Sequence, residues 1–253
     1  MMIRTVNKIV TGTTQYDGAG VKLVRVLSNL TVEDFDPFLM LDAFDSTDPA
    51  DYVKGFPWHP HRGIETVTYL VRGDIEHGDS LGNSGSILDG CCQWMTAGGG
   101  IIHQEMPKAA ERMLGVQLWL NLPAKDKMTK PQYGDIEAEN VPVISETGSV
   151  VKIISGNYRG TAGAFRGRYV DMTFLDIELE PGHDWKIKTD PELTLFVYIM
   201  AGAAFFPEKD GEVEIPEKRA VLLNRGETFS VRTGEKKVHF LLFAGLPLRE
   251  PIA

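Results

Sequence analysis

A chain of 253 residues with 43% hydrophobic and 24% charged residues can bury a core as one large β domain or two ordinary ones, which excludes a disordered type. A formal net charge of −9 argues against direct nucleic-acid binding, because neutralising phosphates takes a basic surface. No apolar run is long enough to cross a bilayer, and Met1-Met2-Ile3-Arg4-Thr5 lacks the apolar core of a signal peptide.

Residues 1–50 mix short apolar runs with turn residues. Stretches 21–27 and 38–42 read as strands, punctuated by Gly18, Gly20, Asn29 and Asp36-Pro37. The acids from Asp42 to Asp48 fall in a stretch read as a solvated turn rather than a cation site. From residue 55 onward short strands alternate with glycine turns. Residues 64–71 are rich in β-branched and aromatic side chains, 75–77 and 86–88 are short pieces, and 92–96 leads into Gly98-Gly99-Gly100. Residues 114–121 alternate with period two, as a half-buried antiparallel strand does. The adjacent Cys91 and Cys92 cannot staple distant parts of a fold, which points to a reduced, cytoplasmic setting. Residues 122–142, with Pro123, Pro131 and Pro142, read as a connection. Stretches 174–180, 193–200, 220–223 and 237–243 then repeat the strand texture. Strands about eight to twelve residues apart, with little helical periodicity, predict an all-β sandwich or barrel, and the repetition predicts an internal duplication. The expected division is a first domain over 1–134, a linker over 135–142 and a second domain over 143–253.

Ligand-type residues cluster at the two ends of residues 55–107. His59-Pro60-His61 stands at one end and His103-Gln104-Glu105 at the other. On a strand, residues i and i+2 share a face with about 6–7 Å between their Cα atoms. Two such strands side by side would bring three imidazoles and one carboxylate to a common point. That donor set suits Fe(II), Mn, Co, Ni, Cu or Zn and leaves positions for water or substrate. Pro60 fits a strand at a sheet edge. Glu65, four residues after His61, competes with Glu105 for the acidic place on spacing alone. The triple glycine reads as a tight turn, since neither a helix N-terminus nor a P-loop lysine accompanies it.

Residues 55–69, Gly-Phe-Pro-Trp-His-Pro-His-Arg-Gly-Ile-Glu-Thr-Val-Thr-Tyr, resemble the first cupin motif in its pirin form. Residues 93–107 resemble the second pirin motif, and Asp79-Ser-Leu-Gly-Asn and Gly115-Val-Gln-Leu-Trp-Leu-Asn-Leu-Pro are similar to the family as well. The resemblance implies a bicupin of two face-to-face β-barrel jelly rolls, with a metal centre in the N-terminal barrel and none in the C-terminal one. Carried over, the family's ligands fall on His59, His61, His103 and Glu105, which decides for Glu105 over Glu65. His183 and His239 stand alone, with no His-x-His and no second ligand cluster; His183 is expected at a turn or surface, and His77 is expected to pack or hydrogen-bond near the barrel mouth. Cys91 and Cys92 depart from the family pattern and are expected to be small buried residues. Many relatives continue past the end of this chain into a further segment with a helix, which puts the outer packing of the second barrel in question.

What the resemblance implies for function is a quercetin 2,3-dioxygenase that opens a flavonol ring with O₂ and releases carbon monoxide. The cofactor is one divalent transition metal, iron(II) foremost, with nickel, cobalt, manganese, copper or zinc as alternatives. Glu105 would act as general base, and Phe56, Trp58, Trp94 and Met106 would line an apolar pocket or form ordinary core. The alternatives are a metal-containing regulator that binds a transcription factor or metabolic enzyme, and a dioxygenase of another enol or catechol-like molecule.

Overall fold

The structure is a computed structural model that describes residues 2–252. It is built almost wholly of strands. Among the described residues no helix is long and apolar enough to cross a membrane. The chain forms two compact units. One comprises Thr13–Asn140 with the residues from Leu248 onward, and the other comprises Val141–Pro247 with the residues up to Gly12.

The first strand, β1 (Val6–Thr11), belongs to the second unit. The first unit holds β2 (Thr13–Asp17), β3 (Val21–Leu27), β4 (Phe38–Ser46), β5 (Phe56–His61), β6 (Ile64–Arg72) and β7 (Ile75–Asp79). It continues with β8 (Ser84–Ile87), β9 (Cys92–Thr96), β10 (Ile101–Pro107), β11 (Met113–Asn121) and β12 (Gln132–Ile136). A seven-stranded sheet runs β12-β9-β6-β11-β4-β3-β2, and a four-stranded sheet runs β5-β10-β7-β8. Leu23, Phe44 and Leu70 from the larger sheet pack with Ile75 and Ile87 from the smaller, so the two close over a common interior. Strand alternation sends Ile64, Thr66, Thr68 and Leu70 of β6 into that interior and Glu65, Val67 and Tyr69 to the other face.

The second unit adds β13 (Val143–Glu146), β14 (Ser149–Ser155), β15 (Asn157–Tyr158), β16 (Thr161–Ala162), β17 (Met172–Leu179) and β18 (Asp184–Lys188). After these come β19 (Thr194–Ala201), β20 (Ala203–Glu208), β21 (Gly211–Pro216), β22 (Arg219–Leu223), β23 (Thr228–Thr233) and β24 (Val238–Gly245). Its sheets run β1-β22-β19-β24-β17-β14-β13 and β18-β23-β20-β21. Place for place these orders repeat those of the first unit, so the duplication read from strand spacing is visible in the topology. The one exchange is at the edge. The place that β12 takes beside β9 is taken beside β22 by β1, paired from Val6 opposite Leu223 to Thr11 opposite Arg219.

Three sequence expectations differ from this structure. Residues up to Gly12 join the second unit, because β22 otherwise presents an unpaired edge that β1 completes. Residues 135 and 136, read as linker, lie in β12 and pair with β9. Of the acidic stretch read as a turn, residues 42–46 are the end of β4, where buried Asp42 accepts hydrogen bonds from Arg25 at 2.9 and 2.7 Å, whereas exposed Asp48 does cap the turn at Pro49–Asp51. The triple glycine is the tight approach expected of it. Gly98 has φ +50°, and a Cβ there would lie 2.1 Å from the Thr129 carbonyl oxygen.

Candidate metal centre

β5 and β10 are antiparallel, with His59 opposite His103 and His61 opposite Ile101. The His59 Nε2 atom lies 3.0 Å from Nε2 of His61 and 3.0 Å from Nε2 of His103. One ring nitrogen from each of the three lies within 4.8 Å of the others. The His59 Nδ1 atom sits 2.9 Å from the Pro57 carbonyl oxygen, which can only accept, so Nδ1 carries the proton and Nε2 offers its lone pair. His103 turns its Nδ1 to the Tyr133 hydroxyl at 3.3 Å. The His61 ring meets Trp119 edge-on at 5.0 Å.

Burial and neighbouring charge keep two of these rings, His61 and His103, neutral. Burial, followed by the neighbouring His103 and His59, pushes His61 down to about 3. Burial, followed by His59 and His77, pushes His103 to about 3 as well. Neutral imidazoles with lone pairs turned to one point are the form that binds a cation.

Glu105 is almost fully buried and lies opposite His77 on β7. Its pairing with β5 slips by a bulge after His103, so that it faces Phe56. The Gln117 amide donates to both of its carboxylate oxygens, at 2.9 and 2.7 Å, and the Thr68 hydroxyl donates to one at 3.1 Å. Among the described residues the three histidines alone make up the tight donor cluster, and the Glu105 carboxylate is held beside it, near enough for its charge to act on His61. Three imidazoles and a neighbouring carboxylate fit a divalent transition ion.

Glu65 does not join this group. The turn at Gly63, with φ +70°, ends β5 and restarts the alternation, so Glu65 leaves β6 on the face opposite Thr66 and Thr68. There it accepts a hydrogen bond from Thr96 at 2.6 Å. Of the four apolar residues expected around a pocket, Phe56 alone approaches the histidines, its ring 6.5 Å from that of His59. Trp94 pairs with Val67 on the face away from the site, Trp58 is exposed, and Met106 packs against Gly55. Cys91 and Cys92 are both buried and free. His77 stacks on Tyr133 with ring centroids 5.6 Å apart. The His239 Nε2 atom lies 2.5 Å from an Asp176 oxygen. Thr68, Gln117, Trp119 and Tyr133 were missed from sequence. The one signal was a glutamine and a tryptophan two apart in an alternating strand.

The duplication supplies an internal comparison. Aligning the units on the turn glycines Gly73 and Gly202 places Ile187 where His59 stands, Phe229 where His103 stands and Val231 where Glu105 stands. Val197 and Leu242 likewise take the places of Thr68 and Gln117. The place of His61 falls to Thr189, whose hydroxyl accepts a hydrogen bond from buried Arg4. Phe229, Val231, Val197 and Leu242 all belong to one apolar core.

Two like β-barrels in one chain, one with converging imidazoles and the other filled by hydrophobic side chains, define a bicupin of the cupin superfamily. The chain belongs to the pirin family: residues 20–120 match pirin and residues 174–253 match the pirin C-terminal cupin domain. It is 42% identical to a pirin-like protein of Caulobacter vibrioides, covering 100% of this chain and 91% of the relative. It is 43% identical to a Pseudomonas aeruginosa protein named "putative quercetin 2,3-dioxygenase", covering 98% and 89%. Human pirin is 37% identical over 94% of this chain and 81% of its own. Among solved structures, a quercetin 2,3-dioxygenase from Acinetobacter baumannii superposes with TM-score 0.88 at 31% identity, covering 99% of this chain and 90% of that one. A bacterial pirin from Escherichia coli, solved in complex with nickel(II), shares the fold with TM-score 0.72 at 20% identity, covering 95% and 98%.

Proposed function

We propose that the first barrel is a metal-dependent dioxygenase site of the quercetin 2,3-dioxygenase type, working in the cytoplasm on a flavonol and O₂. The observation that carries this reading is the convergence of three imidazole nitrogens beside one buried carboxylate. The names of two relatives support the substrate class. His59, His61, His103 and Glu105 would hold the ion, iron(II) in this reading, which when bound supplies a Lewis acid and a template for enol and O₂. Glu105 takes the proton of the flavonol 3-hydroxyl as general base. Thr68 and Gln117 keep its carboxylate oriented, and Phe56 and Trp119 offer apolar surface to a flat ring. The ring opens as O₂ is taken up, with carbon monoxide released.

Metal analysis of purified wild type, His59→Ala and Glu105→Ala tests the site, and aerobic against anaerobic quercetin turnover tests the chemistry. Wild type should carry about one ion per chain and consume O₂ with release of carbon monoxide, and His59→Ala should do neither. Unchanged metal content in both variants would overturn the ligand set. A metal-loaded wild type that leaves quercetin and O₂ untouched would overturn the activity.

A further inference from the structure

Gln117 and Trp119 lie two apart on β11 and therefore face the same way, into the barrel. The Trp119 indole N–H donates to the Gln117 Oε1 atom at 3.4 Å. Because an indole nitrogen can only donate, it selects the amide oxygen and leaves the amide NH₂ turned to Glu105. That NH₂ donates to both Glu105 oxygens at 2.9 and 2.7 Å, and it lies 3.2 Å from the Thr68 hydroxyl, which donates to Glu105 in turn. On its other side Trp119 packs edge-on against the His61 ring. One pair of side chains thus touches a histidine of the cluster and orients the carboxylate beside it.

We infer that Gln117 is a positioning residue for the metal centre, fixing the rotation of the Glu105 carboxylate, and that Trp119 sets the sense of the Gln117 amide. This rests on the reading of the site as a metal centre. The terminal torsion of a glutamate is broad and has no strong preferred rotamer of its own, so an unclamped carboxylate would sample orientations that present no lone pair to the cluster. The second barrel provides the control within the same chain. Where Glu105 is replaced by Val231, the place of Gln117 is Leu242 and that of Thr68 is Val197. The polar clamp is present in the barrel that has a carboxylate to hold and gone from the one that does not.

The test uses the full chain, stripped of metal and titrated with Co(II) alone, reading affinity by competition with a chelator and ligand geometry from the visible absorption bands. Gln117→Leu should weaken Co(II) binding about 10–100-fold, as loss of a partner that orients a ligand does, and should move the bands. Trp119→Phe keeps a ring against His61 and removes the N–H. It should weaken binding in the same direction but less, and it carries the test if Gln117→Leu does not fold. The double variant Glu105→Ala/Gln117→Leu should bind no more weakly than Glu105→Ala, because Gln117 acts through Glu105. Unchanged affinity and bands in both single variants, or a Gln117 effect that adds fully to that of Glu105→Ala, would overturn the inference. Wild type that binds no Co(II) would instead sink the metal reading beneath it.

Discussion

Glu65 is fully buried, and burial pushes its carboxyl up to about 7 against the hydrogen bond it accepts from Thr96. A carboxyl whose folded value lies above its unfolded one binds its proton more tightly in the folded state. Its contribution is therefore complete below the unfolded value and is lost as pH rises through the folded one. The rise from 4.5 to about 7, at 1.36 kcal/mol per pH unit, amounts to about 3 kcal/mol, lost mainly between about pH 4.5 and 7.5. Glu65→Gln removes the titration and keeps an oxygen for the Thr96 hydroxyl. It puts an NH₂ in place of the other oxygen, a cost that does not depend on pH. Urea denaturation of both proteins across pH 4.5–8.5 separates the two effects. Relative to wild type, the variant should gain about 3 kcal/mol on going from the acid to the alkaline end, order of magnitude only. Parallel stability profiles would refute the claim that Glu65 holds its proton in the folded chain.

Three further outcomes can be checked. The Arg4 guanidinium, almost fully buried, donates to the carbonyls of Asp190, Leu193 and Asn224 and to Thr189. Arg4→Ala leaves those acceptors without a donor and should cost about 2–4 kcal/mol in denaturant unfolding, with a loss under 0.5 kcal/mol refuting it. Gly98→Ala meets both a positive φ and the Thr129 carbonyl, so it should lose at least about 2 kcal/mol, whereas Gly82→Ala meets open space and should lose only about 1 kcal/mol. With His61 and His103 at about 3 in the fold against 6.5 unfolded, the unfolded chain binds more protons between those values. In the Glu65→Gln background, which removes the opposing contribution of Glu65, metal-free protein should therefore lose stability as pH falls below about 6.5, and an acid titration showing a flat profile down to pH 4 would contradict this.

Period two made the site legible where the ligands share a strand. His59 with His61, and His103 with Glu105, each sit on one strand, so their common face could be read from spacing. Register between strands could not. Gln117 reaches Glu105 because β11 is hydrogen-bonded to β6, which brings Thr68 alongside, and nothing local to residues 113–121 encodes that pairing. Glu65 illustrates the opposite failure, since a two-residue turn at Arg62-Gly63 resets the alternation that a continuous strand would have kept. Trp94 fails as a pocket residue for a related reason: an aromatic in a strand buried on both faces gives no hint of which face it takes. The edge exchange of β1 was illegible too, because its partner lies more than two hundred residues away in the chain.

That exchange has a consequence for biogenesis. The second barrel is completed by a strand that is made before the whole of the first barrel, and that strand's partner is made only after it. At about 5–20 residues per second, β1 waits roughly 10–45 seconds for β22 to be synthesised. By the time residue 140 is made the first barrel has all its own strands, while residues 6–11 still lack the partner that the finished fold gives them. Nascent chains should therefore expose residues 6–11 to proteases and chaperones until β22 is made, and a bulky insertion beside those residues would burden the barrel farthest from them in sequence.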